Sequence, residues 1–110
     1  DLTSKDVLRI VDSCKNEKSN RIIITHGTDT ITNTAKFISN QKLINKTIIL
    51  TGAMIPYAFG SSSDGFFNLG CALSFVQTLD PGVYITMQGE YFKWNEVEKN
   101  NEIGVFQRKK

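Results

Sequence analysis

The stretch Ile22-Ile23-Ile24-Thr25-His26-Gly27-Thr28-Asp29-Thr30 constrains this chain more than any other. Three β-branched residues in a row, after the polar run Lys15 to Asn20, read as a short strand over Arg21 to Thr25, buried on both faces. The strand runs straight into a glycine, then a cluster of hydroxyls and one carboxylate. Ile31, Ala35 and Ile38 follow at the spacing of one helical face, with Phe37 close to that stripe. Open α/β sheets place their chemistry at such a junction: the strand end presents side chains into a crevice, and the helix N-terminus offers free N–H groups to an anion. Thr28 and Asp29 are therefore the candidate functional residues. The plainer reading is that Thr28 or Asp29 caps the helix opening at Thr30, with Gly27 allowing a tight turn. A single cap needs one side chain, and this segment supplies several. His26 is the only histidine, which excludes a two-histidine metal site and leaves a hydrogen-bonded structural role.

Read in order, Thr3 to Lys15 forms an amphipathic helix, with Thr3 as N-cap, Asp6 three residues on, and Val7, Leu8, Ile10 and Val11 as the apolar face. The strand Arg21 to Thr25 and a helix from Thr30 to Gln41 come next. Lys46 to Thr51 is a second buried strand, stopped by Gly52. Ala53 to Ser63, around Pro56, Tyr57 and Phe59, is a loop too long for an idle connection. Asp64 either caps the third helix, Gly65 to Leu79, or orients the neighbouring loop. Phe67, Cys71, Ser74, Phe75 and Thr78 are spaced for one face of that helix. Asp80-Pro81-Gly82 is a turn, and Val83 to Met87 a third strand. Gly89 to Gln107 reads as a short antiparallel hairpin or extended arm. Within it Lys99, beside Glu96 and Glu98, has the pattern of an ordinary surface lysine. Helix and strand alternate three times, which gives an α/β class with a parallel sheet covered by helices on both faces.

The 110 residues make one domain with a modest core. A net charge of +2 is too small for nucleic-acid binding, and the basic triplet Arg108-Lys109-Lys110 reads as a solubilising tail. No apolar run is long enough for a membrane span. Cys14 and Cys71 have no CxxC spacing; buried free thiols in a reducing compartment favour the cytoplasm. Neither GxGxxG nor GxxxxGK[ST] occurs. The chain opens on Asp1-Leu2-Thr3 without a methionine, so a leading segment is expected upstream.

Three motifs in order resemble the bacterial-type L-asparaginase family. Ile24-Thr25-His26-Gly27-Thr28-Asp29-Thr30 resembles its second signature, Leu50-Thr51-Gly52-Ala53-Met54-Ile55-Pro56 its following strand and loop, and Ser63-Asp64-Gly65-Phe66-Phe67-Asn68-Leu69 its next helix start. The likeness runs from Asp1 through Phe106. It implies a Rossmann- or flavodoxin-like domain of the kind that forms the asparaginase N-terminal domain. It also implies hydrolysis of the side-chain amide of L-asparagine, and less well of L-glutamine, by a threonine-based mechanism that needs no metal or organic cofactor. By this resemblance Thr28, Asp29 and Lys99 are the catalytic set, and Gly27, Thr28 and Asp29 bind substrate, Asp29 at the α-amino group. Backbone N–H groups near Gly27 are then candidates for stabilising an oxyanion or a carboxylate, with the loop Met54 to Ser63 bordering the site.

The family's first threonine, the nucleophile, lies in a Thr-Gly-Gly-Thr motif that has no match here. Its carboxylate-binding serine falls just before the position that Asp1 resembles. Residues 1–110 alone are thus expected to turn over little substrate. Ile55 stands where the family usually has arginine, and Phe66 where it has proline; both alter loop packing. The polar end Gln107 to Lys110 reads as a stop, which implies a single domain over 1–110, lacking its first segment and any C-terminal domain. A homo-oligomer is expected from the open sheet edge. The alternative class is a non-catalytic asparaginase-like module that binds an amino acid or a partner protein. A subunit of a tRNA-dependent amidotransferase is disfavoured by the low positive charge.

Overall fold

The computed structural model describes residues 3–55, 59–60 and 63–110. Helix α1, Ser4–Asn16, opens with the capping box that its sequence predicts: the Thr3 hydroxyl accepts the Asp6 N–H at 3.2 Å, and the Asp6 carboxylate accepts the Thr3 N–H at 3.0 Å. Strand β1, Arg21–Thr25, is followed by α2, Ile31–Asn40, then by β2, Thr47–Thr51, and by α3, Gly65–Phe75. The remaining strands are β3, Gly82–Met87; β4, Glu90–Lys93; β5, Val97–Asn100; and β6, Val105–Arg108.

The main sheet has the order β1-β2-β3-β4. β1, β2 and β3 are parallel, with Ile22 opposite Ile48 and Ile48 opposite Val83. β4 is antiparallel to β3, so the sheet is mixed where a parallel one was expected. The cause is local. Gln88 and Gly89 both have positive φ, 52° and 82°, between the paired residues Met87 and Glu90. A two-residue turn of that hand follows the strand twist and folds the chain straight back. β5 and β6 pair with each other as a separate two-stranded antiparallel sheet, the hairpin reading of this region.

The side-chain alternation of a strand divides the core into two layers. Ile48, Leu50, Ile85 and Met87 pack with Val11 and Cys14 of α1, with Ile31, Ala35 and Ile38 of α2, and with Phe92, Val97 and Phe106. Ile49 and Tyr84 point the other way, onto Ala72 and Val76. Helices therefore cover both faces, and β2, buried along its whole length, is the centre of the fold.

Four sequence expectations need correction. β1 is not buried on both faces: its ends are exposed and its middle half-buried, because it is an edge strand paired only with β2. α3 ends at Phe75, short of Leu79, and its buried positions are Gly65, Asn68 and Ala72, not the stripe that contains Phe67 and Ser74. That helix is apolar nearly all round, so spacing alone had no polar side to orient it. Cys71 is only half-buried, whereas Cys14 is buried, and burial pushes the Cys14 thiol up despite nearby Lys46. Arg108 belongs to β6, and its guanidinium stacks on the Phe92 ring at 4.9 Å, so it is no part of a free tail. Pro56 and Tyr57 of the long loop, and Asp1 and Leu2, lie outside the described residues. Among those described, no helix is long and apolar enough to cross a membrane.

Candidate active site

The polar motif leaves the sheet at the C-terminal end of β1, beside the end of β2. The His26 N–H donates to the Thr51 carbonyl at 2.8 Å, extending the ladder by one residue. The imidazole then ties the turn to α2. Nδ1 lies 2.8 Å from the Gly27 carbonyl oxygen, which can only accept, so Nδ1 carries a proton. Nε2 lies 2.8 Å from the Thr34 hydroxyl. His26 is thus the hydrogen-bonded structural residue expected.

Neither Thr28 nor Asp29 caps α2. The N-cap position is Thr30, and no side chain caps the helix there. Thr28 and Asp29 are engaged elsewhere. Lys99, on β5, brings its Nζ to 2.9 Å from Thr28 Oγ1 and 2.6 Å from Asp29 Oδ1. The partners are 71 and 70 residues apart in sequence. The surface-lysine pattern is therefore overturned: the Lys99 side chain is 15% exposed, against 85% for Asp29. An amine, a hydroxyl and a carboxylate in contact have the chemistry to hold and pass a proton. Nζ donates to the Thr28 hydroxyl and to the Asp29 carboxylate. Asp29 orients the lysine, and its exposed carboxylate can also meet a cation from solvent. An added Cβ at Gly27 would meet open space, so packing among the described residues leaves room there.

The floor of the site is tightly made. Gly52, after β2, packs directly beneath Thr28, and a methyl at Gly52 would overlap the His26 carbonyl oxygen. The Gly52 carbonyl accepts from Nδ2 of Asn68, a fully buried residue, at 2.8 Å. The same amide donates to Asp64 Oδ2 at 3.0 Å and accepts the Gln88 N–H at 3.1 Å. Asp64 sits at the start of α3 without capping it. Its carboxylate instead accepts the Met54 and Ile55 N–H groups at 3.1 and 2.9 Å, so the loop-orienting reading holds. Partial burial pushes its pKa up, but the N–H groups of Ile55, Met54 and Asp64 itself and the Asn68 amide outweigh that and hold it below the usual carboxylate value. Ser63 donates to the Ile55 carbonyl at 2.5 Å and closes this loop end.

Sequence reasoning gave Asn68 and Gln88 no role. Asn68 carried a usable signal, an amide inside an otherwise apolar helix. Gln88 carried only a weak one: a turn whose hand favours asparagine or glycine holds a glutamine.

The family model described as "Asparaginase, N-terminal" matches residues 1–107. A glutaminase-asparaginase of Acinetobacter glutaminasificans is 32% identical over 109 residues, covering 93% of this chain and 33% of its own. L-asparaginase 2 of Escherichia coli (strain K12) is 33% identical over 92 residues, covering 81% of this chain and 26% of its own. Among solved structures, the thermostable L-asparaginase from Thermococcus kodakarensis superposes with a TM-score of 0.78 at 27% identity, over 97% of this chain and 34% of that one. The chain thus spans about a quarter to a third of the length of these relatives. With the family match, the sheet and the motif ends all in agreement, the chain belongs to the asparaginase family and corresponds to its N-terminal domain.

Proposed function

We propose that the protein acts as an asparaginase-like amidohydrolase, converting L-asparagine to L-aspartate and ammonia, with L-glutamine as a second substrate. The observation that carries this reading is the contact of Lys99 Nζ with both Thr28 Oγ1 and Asp29 Oδ1. In the first half-reaction a threonine hydroxyl adds to the amide carbon, the C–N bond breaks, and the nitrogen leaves as ammonia with the hydroxyl's proton. Water then splits the acyl-enzyme ester and restores the hydroxyl. The sequence contains no Thr-Gly-Gly-Thr motif, so this chain's residues supply the proton-handling side: Thr28 and Lys99 pass protons, and Asp29 holds Lys99 and the substrate's α-amino group. The space above Gly27 and the uncapped start of α2 suit an oxyanion or carboxylate. Free Cys14 and Cys71 support a cytoplasmic location.

The test is ammonia release from L-asparagine and L-glutamine by the intact protein as its gene encodes it, compared with Thr28→Val. Valine keeps the branched shape that packs on Gly52 and deletes the hydroxyl. Turnover is expected to fall about 10²–10⁴-fold, the usual worth of a proton-transfer group. A folded variant with unchanged turnover refutes the assignment, and binding of asparagine without turnover in the parent protein favours the non-catalytic module.

A further inference from the structure

Among the described residues, the sheet that carries Lys99 makes no strand pairing with the main sheet. A two-stranded hairpin is marginal by itself, so something else must fix where β5 stands. Val97 and Phe106 sink apolar side chains into the core, and Arg108 stacks on Phe92. Such contacts hold the hairpin down but tolerate sliding, because dispersion and cation–π attraction are only weakly directional. Apart from the bonds of Lys99 itself, Gln88 makes a directional contact with the hairpin backbone. Its Nε2 donates to the Phe106 carbonyl at 2.7 Å, and its Oε1 accepts the Phe106 N–H at 2.8 Å. Phe106 is the residue paired with Lys99 across β5 and β6.

We propose that Gln88 is a positioning residue for Lys99: its side-chain amide clasps the backbone of Phe106 and sets where the Lys99 amine stands over Thr28 and Asp29. The role in turnover rests on the amidohydrolase reading; the clasp itself does not. Two further observations support it. Gln88 occupies a left-handed conformation, φ 52°, which disfavours residues with a side chain, and the turn alone would favour asparagine or glycine. A glutamine's reach, not its turn preference, explains the residue. Its backbone is also anchored, since its N–H is held by Asn68, the same amide that holds the Gly52 carbonyl beneath Thr28. One buried asparagine thus references the Lys99 hairpin and the floor of Thr28 to each other.

Gln88→Gly tests this, because glycine suits the positive φ and removes only the clasp. In the intact protein, the Phe106 amide is expected to exchange with deuterium about five- to tenfold faster, the worth of one lost hydrogen bond, while amides of β2 keep their rates. The ¹⁵Nζ signal of Lys99 is expected to shift towards that of solvent lysines. In the intact protein, kcat is expected to fall roughly ten- to hundredfold with KM within about twofold, as for a misplaced catalytic group. Gln88→Glu, which keeps the length and the acceptor but loses the donor, should recover part of the loss. An unchanged Phe106 rate overturns the clasp, as does a rise in Phe106 exchange that all core amides share, and an unchanged Lys99 signal overturns the positioning of Lys99. A loosened hairpin with unchanged kcat overturns the positioning role alone. If Thr28→Val keeps full turnover, the amidohydrolase reading fails, while the exchange and nitrogen measurements still decide the clasp.

Discussion

Replacing Lys99 by methionine removes the amine and leaves most of the buried stem, so it separates what the lysine does for the fold from what it does for turnover. On the side of the fold the loss is small. The Asp29 carboxylate is 85% exposed, water screens it, and pairs of that kind contribute about 0–1 kcal/mol. The hydrogen bond to Thr28 adds about 1 kcal/mol. At about 4–8 °C per kcal/mol for a domain near this size, the melting temperature should drop by roughly 5–15 °C, with a single cooperative transition. On the side of the chemistry, losing the group that exchanges protons with Thr28 should slow turnover about 10²–10⁴-fold, or roughly 3–5 kcal/mol of barrier. The second effect exceeds the first. Ammonia release and circular-dichroism melting on the same preparation measure both. Lys99→Arg sharpens the result, because arginine keeps the charge beside Asp29 but cannot take a proton, and it should be as slow as methionine. A methionine variant within tenfold of the parent, or an arginine variant that restores turnover, refutes the proton-transfer role.

Gly52→Ala drives a methyl into the His26 backbone carbonyl and should destabilise the chain by about 1–3 kcal/mol, read by urea unfolding; an unchanged midpoint would mean that the floor of the site can shift. Asn68→Ala leaves the buried Gly52 carbonyl without its partner and frees the Gln88 N–H, at about 1–3 kcal/mol by the same measurement, and an unchanged midpoint counts against the network. Asp64 has a folded pKa below its unfolded one, so the stability it contributes is fully present above the unfolded value and is lost as pH falls through the folded value. The Met54 and Ile55 amide resonances should therefore move together in the acid range and stay fixed in Asp64→Asn; no movement in the parent would disprove the linkage.

The α/β class was legible because its signals are short-range: β-branched runs at Ile22 to Ile24 and Ile48 to Leu50, and the Thr3–Asp6 capping box, declare themselves within a few residues. What was illegible is set by partners far along the chain. Nothing near Ile23 says that β1 is an edge, since that depends on which strands pair beside it. α3 shows apolar residues on every side, so only the sheet beneath it selects Asn68 and Ala72 for burial. Thr28 and Asp29 stood out as surplus polarity at a strand end. Lys99, by contrast, sits among glutamates and asparagines with a surface pattern; family resemblance singled it out, and only the hairpin's docking explains how it reaches them. Gln88 escaped notice because its partner is a backbone, which leaves no mark in the sequence.

The separation between Thr28 and Lys99 has a consequence for how the protein is made. During synthesis Thr28 and Asp29 leave the ribosome some 70 residues before Lys99 does, and β1, α2 and β2 can assemble around them in that interval. Throughout it the Thr28 hydroxyl lacks its Lys99 contact. Lys99 arrives on β5, which pairs with β6 at Phe106, a residue that comes later still. The completed triplet thereby reports that the β5–β6 hairpin has docked, and a nascent chain that has not yet made it holds Thr28 and Asp29 without the Lys99 contact.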